Sequence, residues 1–193
     1  MKGLLQTIML SLMLLAAESA VGLAADIYQI NPLTESELMS MYTNMLIDGC
    51  RYADTDWHEW SVDPRGGYWG DGTTSGNSGT RAVTSMVLAC GALLKYCDSL
   101  TQTDRTNFKT KSIAAIRFLT ATHVTGPQTC IDGKKWGDGW GSAYCSGMFG
   151  WGAWLIWDDL DSGLKADVQR VLAHEADRFL TTPPPSGPPG DTK

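Results

Sequence analysis

The chain has 193 residues, with 15 lysines and arginines against 21 aspartates and glutamates, for a net charge of −6. An acidic protein without a basic run is poorly suited to nucleic acid, so that class of partner is excluded at the outset. Five cysteines (Cys50, Cys90, Cys97, Cys130, Cys145) make disulfides an open question whose answer depends on the compartment.

The N-terminus points to export. Met1-Lys2-Gly3 is a short positive start, and Leu4 to Ala17 is apolar apart from Gln6, Thr7 and Ser11. Gly22-Leu23-Ala24-Ala25 then supplies small residues, completing the three regions of a secretory signal. Cleavage after Ala24 puts Gly22 at the −3 site. A membrane anchor needs about 20 apolar residues. This run has 14, three of them polar. Residues 1–25 are therefore expected to be a signal peptide and 26–193 a single domain. The expected location is periplasmic or extracellular, with no membrane attachment after cleavage.

Thr34-Glu35-Ser36-Glu37 is a capping box, and Leu38, Met41, Tyr42, Met45 and Leu46 follow at helical spacing, with Gly49 as a stop. A second helix is expected over Arg81 to Cys97, apolar nearly all round and hence buried. A third spans about Thr103 to Thr122, capped by Thr103 or Asp104. A fourth covers about Ser142 to Leu160, where the spacing of Trp151, Trp154 and Trp157 suggests a packing face. The fifth, Ser162 to Leu180, is amphipathic through Leu164, Val168, Val171, Leu172 and Phe179. No stretch alternates with period two, so the expected class is all-α.

Short links (98–102 and around 161) make αα-hairpins of helices two with three and four with five. Between the hairpins lie long loops, 54–80 and 124–141, rich in glycine and tryptophan. Trp69-Gly70-Asp71-Gly72 recurs 67 positions later as Trp136-Gly137-Asp138-Gly139. Each copy precedes an apolar helix, a short link and an amphipathic helix. Repeated loop, inner helix and outer helix build a helical solenoid or toroid, so the hairpins are expected to form an arc of an (α/α) toroid, incomplete in this chain.

The chemistry suggested by these loops is carbohydrate chemistry. Trp57, Trp60, Tyr68, Trp69, Trp136 and Trp140 can offer ring faces to a pyranose, or can plug the ends of helix pairs. Asp71 and Asp138 can act as acid or base groups, or can close Asx turns ahead of the next helix. His58-Glu59, between Trp57 and Trp60, is the leading acid/base candidate, because imidazole exchanges a proton near neutral pH. Arg65, Arg81, Lys134 and Lys135 can supply local positive charge, or can simply be solvated. His174-Glu175 reads as a polar cluster on the fifth helix. Metal-binding and nucleotide-binding motifs are missing from the sequence, so no metal and no cofactor is expected. Cys90 and Cys97, about 10 Å apart on one helix, cannot pair. Cys130 and Cys145 flank one loop and are the first pair to consider.

Trp136-Gly-Asp-Gly-Trp140, Gly150-Trp-Gly-Ala-Trp-Leu-Ile-Trp-Asp158, His174-Glu-Ala-Asp-Arg-Phe-Leu180 and Gly190-Asp-Thr-Lys193 resemble exported bacterial proteins of the heparinase II/III-like type. The likeness covers about Tyr68 to Lys193. It implies an (α/α) toroid, shared with alginate lyases and several glycoside hydrolases, and a polysaccharide or oligosaccharide substrate. In that family the toroid continues past the equivalent of Lys193. The family's proton-abstracting tyrosine and histidine, and its charge-neutralising asparagine or glutamate, match no segment here, so no catalytic role is carried over. The expected function is that of a polysaccharide lyase or glycoside hydrolase, with a non-catalytic glycan-binding or scaffolding domain as the alternative.

Overall fold

The first helix starts at the expected cap. Thr34 Oγ1 accepts the Glu37 N–H at 3.3 Å and Glu37 Oε2 accepts the Thr34 N–H at 2.9 Å, so two backbone donors at the helix start are satisfied reciprocally. The computed structural model describes residues 33–75, 78–139 and 141–181. The expected signal peptide and the proline-rich 182–193 lie outside the described residues. Residues up to Ser40 and residues from Met41 onward form two units; helix α1, Glu35–Ala53, begins in the first and ends in the second. It continues through Gly49, because nothing there turns the chain into the left-handed conformation that ends helices.

The remaining elements belong to the second unit. A 3-10 turn, Asp54–Asp56, leads into strands β1, Trp57–Glu59, and β2, Gly67–Trp69. They pair antiparallel with Trp57 opposite Trp69 and His58 opposite Tyr68. Helices α2 (Thr80–Tyr96), α3 (Gln102–Thr122), α4 (Ser142–Leu155) and α5 (Ser162–Thr181) follow. The described protein is thus mostly helical, with five helices and one small hairpin. The hairpin corrects the all-α expectation: strands of three residues are too short to show an alternating pattern.

Helix ends follow local chemistry. Thr101, not Thr103 or Asp104, caps α3, its Oγ1 accepting the Asp104 N–H at 3.1 Å. Arg105 donates to the Leu94 and Cys97 carbonyls at 3.2 and 2.5 Å, satisfying the C-terminal end of α2. Helix α4 ends at Leu155, five residues earlier than expected, and a 3-10 turn at Trp157–Asp159 replaces its last turn. Asp161 then caps α5 by accepting the Leu164 N–H at 2.8 Å.

The two hairpins lie side by side. Helix α2 packs on α4, α3 packs on α5, and within the hairpins α2 packs on α3 and α4 on α5. Helices α2 and α4 meet through glycines. A Cβ at Gly152 would fall 2.7 Å from the Val87 carbonyl carbon, and one at Gly91 would fall 3.0 Å from the Gly152 carbonyl oxygen. Val83, Val87, Phe108, Ile116, Leu119, Phe149, Val168 and Val171 fill the core. Burying each such side chain is worth about 1.5–3 kcal/mol. Strand β2 closes one side of α3, where Tyr68 and Trp60 meet Phe118 at 4.9 and 5.3 Å. Among the described residues no helix is long and apolar enough to cross a membrane.

Candidate functional site

The two Trp-Gly-Asp-Gly loops share a backbone plan and diverge in chemistry. Both tryptophans are buried, and their indole N–H groups are satisfied: Trp69 donates to Asp54 Oδ1 at 3.1 Å and Trp136 to the Leu119 carbonyl at 2.8 Å. Gly70 and Gly137 both take positive φ, 79° and 120°, so each loop turns away sharply after its anchor. In the first loop Asp71 closes an Asx turn. Its carboxylate accepts from Thr73 N–H at 2.9 Å and Ser78 Oγ–H at 2.6 Å. The Ser78 bond, with the Thr73 bonds behind it, holds this carboxyl below its ordinary range.

In the second loop the aspartate reaches another element instead. Asp138 sits at φ 57°, the one non-glycine with positive φ among the described residues. That left-handed turn aims its carboxylate at α5, where Oδ1 lies 2.8 Å from His174 Nε2. Aspartate tolerates the conformation better than most residues. The bond to His174 is the main reason its carboxyl is held below the ordinary range, with the charges of His174 and Arg178 adding to it. His174 and Asp138 are both partly open to solvent, with side-chain exposures of 33% and 55%. Arg178 approaches Asp138 Oδ1 at 3.6 Å.

Behind this pair lies a buried layer. Glu175 Oε1 accepts the Asp138 N–H at 3.1 Å and Oε2 accepts Ser142 Oγ–H at 2.8 Å. Arg178 Nε is 3.4 Å from Oε2. His123 Nδ1 accepts the Thr125 N–H at 3.2 Å, so Nε2 carries the proton and donates to Glu175 Oε1 at 3.3 Å. Burial lowers the His123 pKa, and Glu175 only partly opposes it. Trp136 meets the His123 ring edge to face at 4.7 Å. A Cβ at Gly137 would fall 2.7 Å from His123 Nε2, so only glycine admits the loop this close.

Ligand atoms of His123, His174 and Glu175 all lie within 4.8 Å of one another, a spacing that could hold a metal ion. The hydrogen bonds and the Arg178 guanidinium already satisfy Glu175, so this cluster needs no cation for charge balance.

The other sequence candidates are placed as follows. His58 lies on the exposed edge of the hairpin, 3.2 Å from Asp56 Oδ1 and stacked on Tyr68 at 5.4 Å. Glu59 is exposed beside it. Neither is joined to the His174 cluster by a hydrogen bond or ion pair among the described residues. Trp57 is half-buried, edge-on to Trp69 at 4.8 Å, with Lys111 over its ring. Trp60, Trp69 and Trp136 are core residues, so their ring faces are not offered to solvent. Arg65 is engaged by Asp63, whose carboxyl this pairing pulls to about 2. Lys135 Nζ donates to the Gly126 carbonyl at 2.6 Å. Trp140 lies outside the described residues.

Among the described residues the exposed tryptophans are on α4. Trp151 and Trp154, expected to pack inward, are 65% and 60% exposed. They meet edge to face at 6.0 Å and, with Gly150, line an open groove of about 310 Å³.

His174-Glu175 is the polar cluster expected on the fifth helix, with Glu175 buried more deeply than the sequence suggested. The signal was present: Leu164, Val168, Val171, Glu175 and Arg178 share one face of α5, which places a carboxylate in the middle of a buried stripe. Compared with known proteins, the chain matches no family model, no curated protein and no solved structure.

Proposed function

We propose that this is an exported carbohydrate-active protein, a polysaccharide lyase of the (α/α) toroid type, in which Asp138 and His174 form the acid/base pair. The observation that carries the proposal is the 2.8 Å contact between a carboxylate and an imidazole, both reachable from solvent and both backed by a buried polar layer. Lyase chemistry removes the proton next to a uronate carboxylate, so it needs a base and a cation that offsets the substrate's charge. His174 supplies the base and Asp138 orients it; Arg178, the cation beside them, is itself paired with Asp138 and Glu175.

A lyase fits this cluster better than a hydrolase. Glycoside hydrolysis uses two working carboxyl groups. Here Glu175 is buried, accepting three hydrogen bonds and paired with Arg178, which leaves Asp138 alone. The resemblance to heparinase II/III-like proteins and the signal-like N-terminus agree with an exported enzyme acting on a glycan. Side-by-side hairpins with glycine-mediated contact between inner helices are the arrangement that an arc of a toroid would have.

The exposed Trp151–Trp154 pair favours a second reading, a glycan-binding domain without turnover, because aromatic faces alone hold a pyranose. Incubation with alginate, heparin and pectin, followed by absorbance of the unsaturated product, separates the two. Product formation supports the lyase; retention on a glycan column without product supports the binding domain.

A further inference from the structure

One imidazole nitrogen each from His123 and His174 and one carboxylate oxygen of Glu175 lie within 4.8 Å of one another. His123 and Glu175 are buried, and His174 is partly open to solvent. The two buried groups already stand at the spacing of metal ligands, with His123 Nε2 3.3 Å from Glu175 Oε1. Two ligand atoms on one tetrahedral zinc ion are about 3.4 Å apart, given bonds of about 2.1 Å. From a span of 4.8 Å, His174 therefore has to close by about 1.4 Å at most. It is the member with solvent beside it, so it has room to move.

We propose that this cluster binds one zinc ion through His123, His174 and Glu175, and that the bound ion shuts off the acid/base pair. The first half stands on the geometry alone; the second rests on the lyase reading. Two imidazoles and one carboxylate suit zinc, whereas calcium and magnesium prefer ligand sets made of oxygen.

The ring of His123 is held from behind, as metal-bound histidines commonly are. Its Nδ1 lies 2.8 Å from Thr125 Oγ1, a hydroxyl that Arg170 also contacts. On binding, the ion takes the place of the Nε2 proton. Nδ1 then carries the ring's proton and donates it to Thr125 Oγ1, and the 3.2 Å bond from the Thr125 N–H is given up. Asp138 Oδ1, 2.8 Å from His174 Nε2, either accepts the remaining N–H of that ring or becomes the fourth ligand.

Arg178 opposes the ion. It lies against Glu175 Oε2 at 3.4 Å, so the ion takes Oε1. Because the carboxylate is satisfied without it, the fold does not depend on the ion and binding is reversible. A neutral imidazole has one nitrogen lone pair to give. An ion on either nitrogen of His174 uses that pair and leaves no base, so the filled and working states exclude each other.

The test titrates the full chain with Co²⁺, a coloured stand-in for zinc, and then displaces it with Zn²⁺. One equivalent of cobalt should bind, with visible absorption and no sulfur-to-metal charge-transfer band, since none of the five cysteines belongs to the cluster. His174→Ala should abolish the signal. Thr125→Val, which removes only the support behind His123, should weaken binding by about 10–100-fold. Circular dichroism confirms that both variants are folded. No cobalt bound by the native chain, a sulfur charge-transfer band, or unchanged affinity in His174→Ala overturns the site. Release of unsaturated product should fall when zinc is added and return with EDTA; undiminished release with the site filled overturns the exclusion. A native chain that binds cobalt here and yields no product leaves the site standing and overturns the lyase reading, and the exclusion with it.

Discussion

Asp138 and His174, 36 residues apart in sequence, meet at 2.8 Å because a left-handed turn after Trp136 swings the loop aspartate onto the last helix. The same four-residue motif 67 positions earlier keeps its aspartate at home in an Asx turn. One backbone device therefore serves two ends: a structural turn in the first loop and a candidate reactive pair in the second.

The pairing makes Asp138 titrate below an ordinary carboxyl, chiefly through the His174 bond. A group with a depressed folded pKa adds stability that is present above its unfolded value of about 3.9 and is lost as pH falls through the folded value. Carbon-detected NMR titration should show Asp138 below that value and His174→Ala should move it upward. An Asp138 midpoint unchanged in His174→Ala would show that the contact does not form in solution.

The glycine contact between α2 and α4 predicts a sharp contrast along α4. Gly152→Ala drives a methyl into the Val87–Leu88 backbone, where contacts of 2.7–2.8 Å leave no room. It should cost about 1–3 kcal/mol of stability. Gly147→Ala, on the same helix with nothing within 4 Å, should be neutral or gain up to about 1 kcal/mol from lost unfolded-state freedom. Urea denaturation of the two variants measures both.

His123 should make the protein acid-sensitive. Burial lowers its pKa, opposed by Glu175 and reinforced by His174 and Arg170. The unfolded chain therefore takes up its proton first, so stability is intact above about pH 6.5 and falls as pH drops toward the lower folded value. Urea midpoints measured between pH 7.5 and 5.5 should fall for the native chain and fall less steeply for His123→Gln.

Arg51 joins the end of α1 to the start of α3 by a two-point contact with Asp104, at 3.2 and 2.8 Å. Asp104 is only 12% exposed and also accepts from Thr101 Oγ–H at 2.5 Å. Asp104→Ala should cost about 1–3 kcal/mol. Arg51→Ala should cost less than Asp104→Ala, because its own side chain is half exposed and solvent screens the pair. Thermal melts of both variants check the order.

Helices were legible because their signals are local: the Thr34 cap, the apolar periodicity of α2 and the stripe on α5 all act within a few residues. The β1–β2 hairpin was not, since three-residue strands carry no period and Trp57 pairs with Trp69 only through the intervening turn. The site was half legible. Asp138 stood out by its glycine neighbours, but its partner on α5 is fixed by the fold, as is the buried Glu175–His123 layer behind it. Trp60, Trp69 and Trp136 anchor the core, one of the two uses open to the loop tryptophans, while Trp151 and Trp154, expected to pack, face outward from their helix. Burial depends on what packs against a ring, and residue spacing alone does not contain that.

The most direct measurement of the central claim is release of unsaturated product from uronate polysaccharides by the native chain, His174→Ala and His58→Ala side by side. The account predicts turnover by the native chain, loss of about 10²–10⁴-fold in His174→Ala, and near-native rates in His58→Ala. Equal rates in the native chain and His174→Ala, or no product from the native chain on any of them, would contradict it.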